Sequence, residues 1–166
     1  AGGTDVIVTS VHKDTESLSM AITAELPVPA ARAWQLWADP RQLERWWGPP
    51  TWPATVLDHD LVPGGRVSYV MTGPDGDRAG GMWHVDEVDP PSLLVLRDQF
   101  ANDDGSPNEA MPTTVMRVTI AESPAGSTMT VTSTFPSLEA MEQLVGMGME
   151  EGMLAAMSQI EAVLAD

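Results

Sequence analysis

The sequence predicts an α+β protein in which a curved antiparallel β-sheet wraps around a long C-terminal α-helix, with two short helices near the start. Two observations lead there. Val145, Met149, Met153, Ala156, Met157, Ile160 and Leu164 recur at three- and four-residue steps, the spacing that stacks side chains on one helical face, while Glu150, Glu151, Ser158, Gln159 and Glu161 fall elsewhere on the wheel. Upstream, residues 54–135 read as short strand-like segments separated by Gly, Pro and Asp, with little helical pattern. A long helix with one apolar face must bury it, and the only large partner this chain offers is a sheet. With 166 residues and neither repeats nor linkers, residues 5–166 read as one domain.

Taken in order, Val6 to His12 and Leu18 to Leu26 are two strands around the polar turn Lys13-Asp14-Thr15. In the second, Leu18, Met20, Ile22, Ala24 and Leu26 alternate with smaller or polar residues, the period of a half-buried strand. Pro27 and Pro29 end it. Pro29 suits the start of a helix over Ala30 to Ala38, which carries Ala33, Trp34 and Trp37 on one side. Asp39 can cap a second short helix with Pro40 at its first position, running to about Arg45. The stiff Trp46-Trp47-Gly48-Pro49-Pro50 turn follows. Strands are then expected over Ala54 to Asp60, Arg66 to Thr72, Gly80 to Val88, Leu93 to Phe100, Thr113 to Glu122 and Ser127 to Phe135, each bounded by Pro, Gly or Asp. Pro136 stops the sheet and Ser137 caps a lead-in helix. Gly146 and Gly148 predict a break before the long helix begins, since glycine costs about 1 kcal/mol in a helix interior.

Composition excludes several function classes. Against 24 acidic residues stand 8 basic ones, a formal net charge of -16, so nucleic acid and anionic membranes are poor partners. No apolar run is long enough to span a bilayer. Without cysteine there are no disulfides, thiolate nucleophiles or cysteine-ligated metals, and a cytoplasmic address is expected. The opening Ala1-Gly2-Gly3 is set aside, and the first residues lack the basic segment and apolar core of a signal peptide.

The segment Pro29, Ala33-Trp34, Trp37, Asp39-Pro40, Leu43 and Trp46-Trp47-Gly48-Pro49 resembles the signature of the SRPBCC, or START-like, superfamily. Pro63-Gly64-Gly65, Asp86 to Pro91, and Glu151-Gly152-Met153 with Ile160 and Leu164 agree in order. The bacterial branch it is most similar to takes its name from the activator of the heat-shock-protein-90 ATPase. The resemblance implies a helix-grip fold and an internal, mostly apolar cavity. It carries over no catalytic set. One departure is Met153, where the family often has Trp, and Met153→Trp is expected to be tolerated if a cavity lies beneath it.

The chemistry-bearing residues point to binding before catalysis. His12, His59 and His84 are scattered without metal-ligand spacing, so no metal or cofactor is expected. The loop Asn102-Asp103-Asp104-Gly105 lacks the pattern of a calcium hand, and Gly146-Met147-Gly148 is no dinucleotide fingerprint. Of six tryptophans and eleven methionines, Trp34 and Trp46 are assigned to the core. Candidate ligand-binding residues are Trp37, Trp47, Trp52, Tyr69, Met71, Trp83, Met116, Met149, Met153 and Met157, because indole and thioether surfaces suit variable apolar ligands. Asp98, just after the apolar run Leu93 to Leu96, joins them as a carboxylate whose pKa would rise if it faced a cavity.

Three functions follow in order. The first is a binder of a small hydrophobic molecule, lipid-, polyketide- or aromatic-like, between sheet and helix, with Tyr69 or Asp98 orienting the ligand. The second is a cyclase- or hydrolase-like enzyme in the same cavity with Asp98 or a histidine as base. The third is a co-chaperone-like protein-interaction module. Homodimerisation through a sheet edge is compatible with the pattern but marked by no motif.

Overall fold

A computed structural model describes residues 5–166; the opening Ala1-Gly2-Gly3, set aside above, and Thr4 lie outside the described residues. Eight strands form one sheet. They are β1 (Ile7–Asp14), β2 (Ser19–Leu26), β3 (Ala54–His59), β4 (Arg66–Thr72), β5 (Arg78–Asp89), β6 (Leu93–Ala101), β7 (Thr114–Ser123) and β8 (Gly126–Thr134). Their order is β1-β2-β8-β7-β6-β5-β4-β3, and each neighbouring pair is antiparallel. Register shifts between Val8 and Ser10, Val56 and Asp58, and Val85 and Glu87 interrupt the ladders. Such irregularities increase local twist, which helps the sheet curl around what it holds.

The strand alternation seen in the sequence decides what faces inward. Met20, Ile22, Ala24 and Leu26 of β2 are buried, as are Leu94 and Leu96 of β6, Met116, Val118 and Ile120 of β7, and Met129 and Val131 of β8. The first hairpin differs from expectation. Lys13 and Asp14 stay in β1, and the turn falls later, over Thr15–Leu18. Asp14 Oδ1 accepts from the Glu16 N–H at 2.9 Å, a local side-chain turn that competes with the strand just past Asp14.

Helices α1 (Ala30–Ala38) and α2 (Pro40–Trp46) lie between β2 and β3. Asp39 ends one and caps the other, its Oδ1 accepting from the Arg41 N–H at 2.9 Å, with Pro40 in the first turn. Trp34, Trp37, Leu43 and Trp46 are buried on their shared side. Trp37 and Trp46 pack edge-on with centroids 4.9 Å apart, and the Trp46 indole donates to the Leu36 carbonyl at 3.0 Å.

The C-terminal region is α3 (Leu138–Gly146), α4 (Met149–Met157) and α5 (Ile160–Leu164). Ser137 caps α3 through the Ala140 N–H at 3.0 Å. Gly148, at φ 93°, is the break between α3 and α4. The single long helix expected from Met149 onward is instead two segments. Ser158 Oγ donates back to the Ala155 carbonyl at 2.6 Å, the kind of back-bonding that loosens a helix locally. Gln159 turns its amide outward from the helix, donating to the Gly48 carbonyl at 2.6 Å and the Trp46 carbonyl at 3.3 Å. Both residues keep right-handed backbone angles, so α5 continues the path of α4. Ala156, Met157, Ile160 and Val163 are buried against the sheet side. Among the described residues, no helix is long and apolar enough to cross a membrane.

Candidate functional site

Register builds the site. Across the inner face, Val67 of β4 pairs with Trp83 of β5, Trp83 with Asp98 of β6, and Asp98 with Thr114 of β7. One row over, Tyr69 pairs with Gly81 and Gly81 with Phe100. A Cβ at Gly81 would collide with the Tyr69 ring, so the glycine is the space in which that ring lies. Laid across its neighbour, Tyr69 reaches diagonally and donates its hydroxyl to Asp98 Oδ1 at 3.0 Å.

Above this pair is a cavity of ≈ 250 Å³ between the sheet and the α3–α4 break. Its floor is Tyr69, Asp98, Gln99, Phe100 and Thr114; its roof is Leu144, Met147, Gly148 and Met149. Met147 is 60 % exposed at the rim. The helix break thus opens the cavity: a continuous helix would carry different side chains over this end of the sheet.

The electrostatics of the floor are unusual. Burial raises the Asp98 carboxyl from 3.8 to about 7, despite hydrogen bonding from Tyr69 and help from the Trp83 indole, both of which favour the ionised form. Tyr69 is raised well above its ordinary value, first by burial and then by the charge of Asp98. Behind the pair, Trp47 packs edge-on against Tyr69 and Trp83, at centroid distances of 6.0 and 5.0 Å. The indole N–H groups of Trp47 and Trp83 are buried and make no hydrogen bond within bonding geometry, yet both lie where they stabilise a negative charge on Tyr69. Arg97, beside Asp98 in sequence, points to the other face and pairs with Asp86 at 3.1 Å.

A family model described as Activator of Hsp90 ATPase homolog 1-like protein matches residues 27–165. The chain belongs to this family. As a member of the Activator of Hsp90 ATPase homolog 1-like family it has the helix-grip architecture of the SRPBCC superfamily. It is 47% identical to protein Ms6760 from Mycobacterium smegmatis, whose crystal structure superposes with a TM-score of 0.88 over 95% of this chain and 97% of that one. An Arthrobacter aurescens protein solved by solution NMR is 46% identical, with a TM-score of 0.92 over 96% of this chain and 92% of that one. A Rhodobacter sphaeroides protein at 18% identity shares the fold, with a TM-score of 0.79 over 97% of this chain and 99% of that one. None of the curated proteins compared with the chain matches it.

Within this family member, the sequence-selected residues separate into three groups. Tyr69, Asp98 and Met149 line the cavity. Trp47 and Trp83 stand directly behind its floor, buried. The remaining candidates are placed elsewhere and do not line this cavity. Trp37 is wholly buried among Trp46, Trp47 and Trp83, its indole aimed at Met129 Sδ at 3.4 Å. Met116 and Met157 are core residues. Met71 and Met153 are half-buried and pack against that core outside the cavity. Trp52 lies under Gly73, where a Cβ would meet its ring. The residues missed were Gln99, Phe100, Thr114, Leu144, Met147 and Gly148. Phe100 follows Asp98 by two in a strand and so shares its face, which was a readable signal. The roof residues had none, because they depend on where α3 ends in space.

Proposed function

We propose that this protein binds a small, mainly apolar molecule in the cavity beneath the α3–α4 break, oriented by Tyr69 and Asp98. The observation that carries the reading is a cavity with apolar walls, Phe100, Leu144, Met147 and Met149, around one hydrogen-bonded polar pair. This is the composition of small-molecule sites, although the volume sits just under the roughly 300–1,000 Å³ usual for drug-sized ligands. An apolar cavity of about 150 Å³ suffices for benzene, so one or two rings or a short chain fits here. Burial of apolar surface supplies affinity at about 25 cal/mol per Å². Family membership supports the same reading, and a cytoplasmic address fits the cysteine-free sequence.

Native mass spectrometry of the purified protein, with extraction of what co-purifies, tests this together with binding of an apolar fluorescent probe to the folded state. A bound hydrophobic molecule or saturable probe binding is expected, and Met149→Trp should fill the cavity and weaken probe binding at least ~10-fold. In a close-packed core such overpacking typically costs about 1–3 kcal/mol, so near-wild-type stability in that variant would mark real free space. An empty protein that also ignores the probe would overturn the reading.

One observation favours a second reading, catalysis in the same cavity. A carboxyl near pH 7 is suited to accept a proton from a bound substrate, since general bases work best with a pKa near the operating pH.

A further inference from the structure

We infer that the ligand of this cavity carries a positively charged or strongly donating nitrogen, an amine beside a small apolar or aromatic body, and that Asp98 is its counter-charge. The inference rests on the cavity-binding reading above and names the ligand's class. Its ground is an imbalance. Asp98 is a carboxylate in the floor of an apolar cavity, and among the described residues no cationic side chain pairs with it. From β4 it meets Tyr69, from β5 Trp83, and from β7 Thr114. From the roof it meets Leu144, Met147 and Met149, none titratable. Basic side chains are engaged elsewhere: Arg97 on Asp86, Lys13 on Glu150 at 2.6 Å, and the His84 ring on Gln99 at 2.8 Å.

The polarity of the hydrogen bonds gives the sign. Tyr69 donates to Oδ1, so Asp98 accepts, and a carboxylate with this one close hydrogen bond keeps lone pairs for a further donor from the cavity. A half-buried carboxylate in an apolar wall without a counter-ion is costly, and a ligand cation offsets that cost while forming a charge-assisted hydrogen bond. Tyr69 and Phe100 bring aromatic rings to the lining, and an aromatic face attracts a cation and not an anion. The start of α4 would by itself favour an anion, but Glu150 and Glu151 occupy its first turn. The net charge of -16 draws cations toward the molecule and repels anions.

The test compares three probes with one ring and one short chain: 2-phenylethylamine, 2-phenylethanol and phenylacetate, followed by protein amide NMR shifts. At about pH 8 the amine is expected to bind at least ~10-fold tighter than the alcohol, the gap between a charge-assisted and a neutral hydrogen bond, and phenylacetate more weakly than either. Shifts should centre on Phe100, Leu144 and Met149. In the wild type the amine's preference should shrink at about pH 5, where Asp98 holds its proton. Asp98→Asn, which leaves the other 23 of the 24 acidic residues in place, should equalise amine and alcohol. If the alcohol or phenylacetate binds the wild type as tightly as the amine, the inference falls while the cavity reading stands. If none of the three shifts these amides, both fall. The wild-type pH series decides the matter even if the variant does not fold.

Discussion

At the scale of the residue, Asp98 concentrates the energetics of the site. The folded protein keeps a proton on this carboxyl up to about pH 7, whereas the unfolded chain releases it near 3.8. Between those values the folded state binds more protons, so stability falls as pH rises, by at most about 4 kcal/mol across the window. Asp39 acts oppositely but lower on the scale. Burial raises its pKa, yet the Arg41 and Gln42 hydrogen bonds outweigh that and leave it below 3.8, so its contribution is lost only as pH falls further. Urea unfolding at about pH 5 and about pH 8 should therefore find the wild type less stable at the higher value. Asp98→Asn should flatten the difference and be the more stable protein at about pH 8. An unchanged slope in the variant would mean that Asp98 is solvated in the folded state. Asp98 and Tyr69 were both candidates from the sequence, one as a carboxylate after an apolar run and one among the aromatic residues suited to a pocket. Their pairing was not legible there, because it depends on β4 and β6 lying on either side of β5 in one register, with Gly81 leaving room between them.

At the scale of the element, two glycines two residues apart do opposite things. Gly146 ends α3 in open space, with nothing within 4 Å of a would-be Cβ. Gly148 has φ 93°, a left-handed conformation that other residues adopt at a cost. Gly146→Ala should stabilise by about 0.5–1 kcal/mol through lost freedom in the unfolded chain. Gly148→Ala should destabilise by about 1–2 kcal/mol. Denaturant midpoints of both variants check the contrast, and equal effects would argue that the two helices run together in solution. The sequence marked this break, and it marked the Asp39-Pro40 junction and Ser137, because caps and glycines act on their own neighbours. It did not mark the second break at Ser158–Gln159. The Gln159 amide leaves the helix to reach carbonyls 111 and 113 residues away, and no local pattern carries that distance. For the same reason Met153→Trp does not probe the cavity as the sequence implied, since Met153 packs outside it.

At the scale of the whole molecule, the surface charge is the dominant unspent term. A formal net charge of -16 on one chain repels itself most in the compact state. Raising ionic strength from about 0.01 M to about 0.5 M shortens the screening length several-fold, and the melting temperature should rise by ~2–4 °C, equivalent to about 1 kcal/mol for a protein of this size. A scanning calorimetry series in sodium chloride checks this, and a falling temperature would show that ion pairs such as Arg97–Asp86 outweigh the repulsion. The sheet was legible at this scale through alternation and turn residues, and so was a C-terminal helical region, though not its division into α4 and α5. The strand order was not, since alternation says which face is buried but nothing about which neighbour a strand takes.

That order has a temporal side. β2 pairs along its whole length with β8, Ser19 with Thr134 through to Leu26 with Ser127. As the polypeptide leaves the ribosome, the hairpin of β1 and β2 emerges first and must wait for a partner made roughly a hundred residues later. Meanwhile β3 to β7 can zip by successive hairpins. The last arrivals, β8 and the helices behind it, close the seam and cover the inner face together. Closure of this sheet therefore waits on β8, and a nascent chain stalled before β8 would leave an apolar sheet with an open edge.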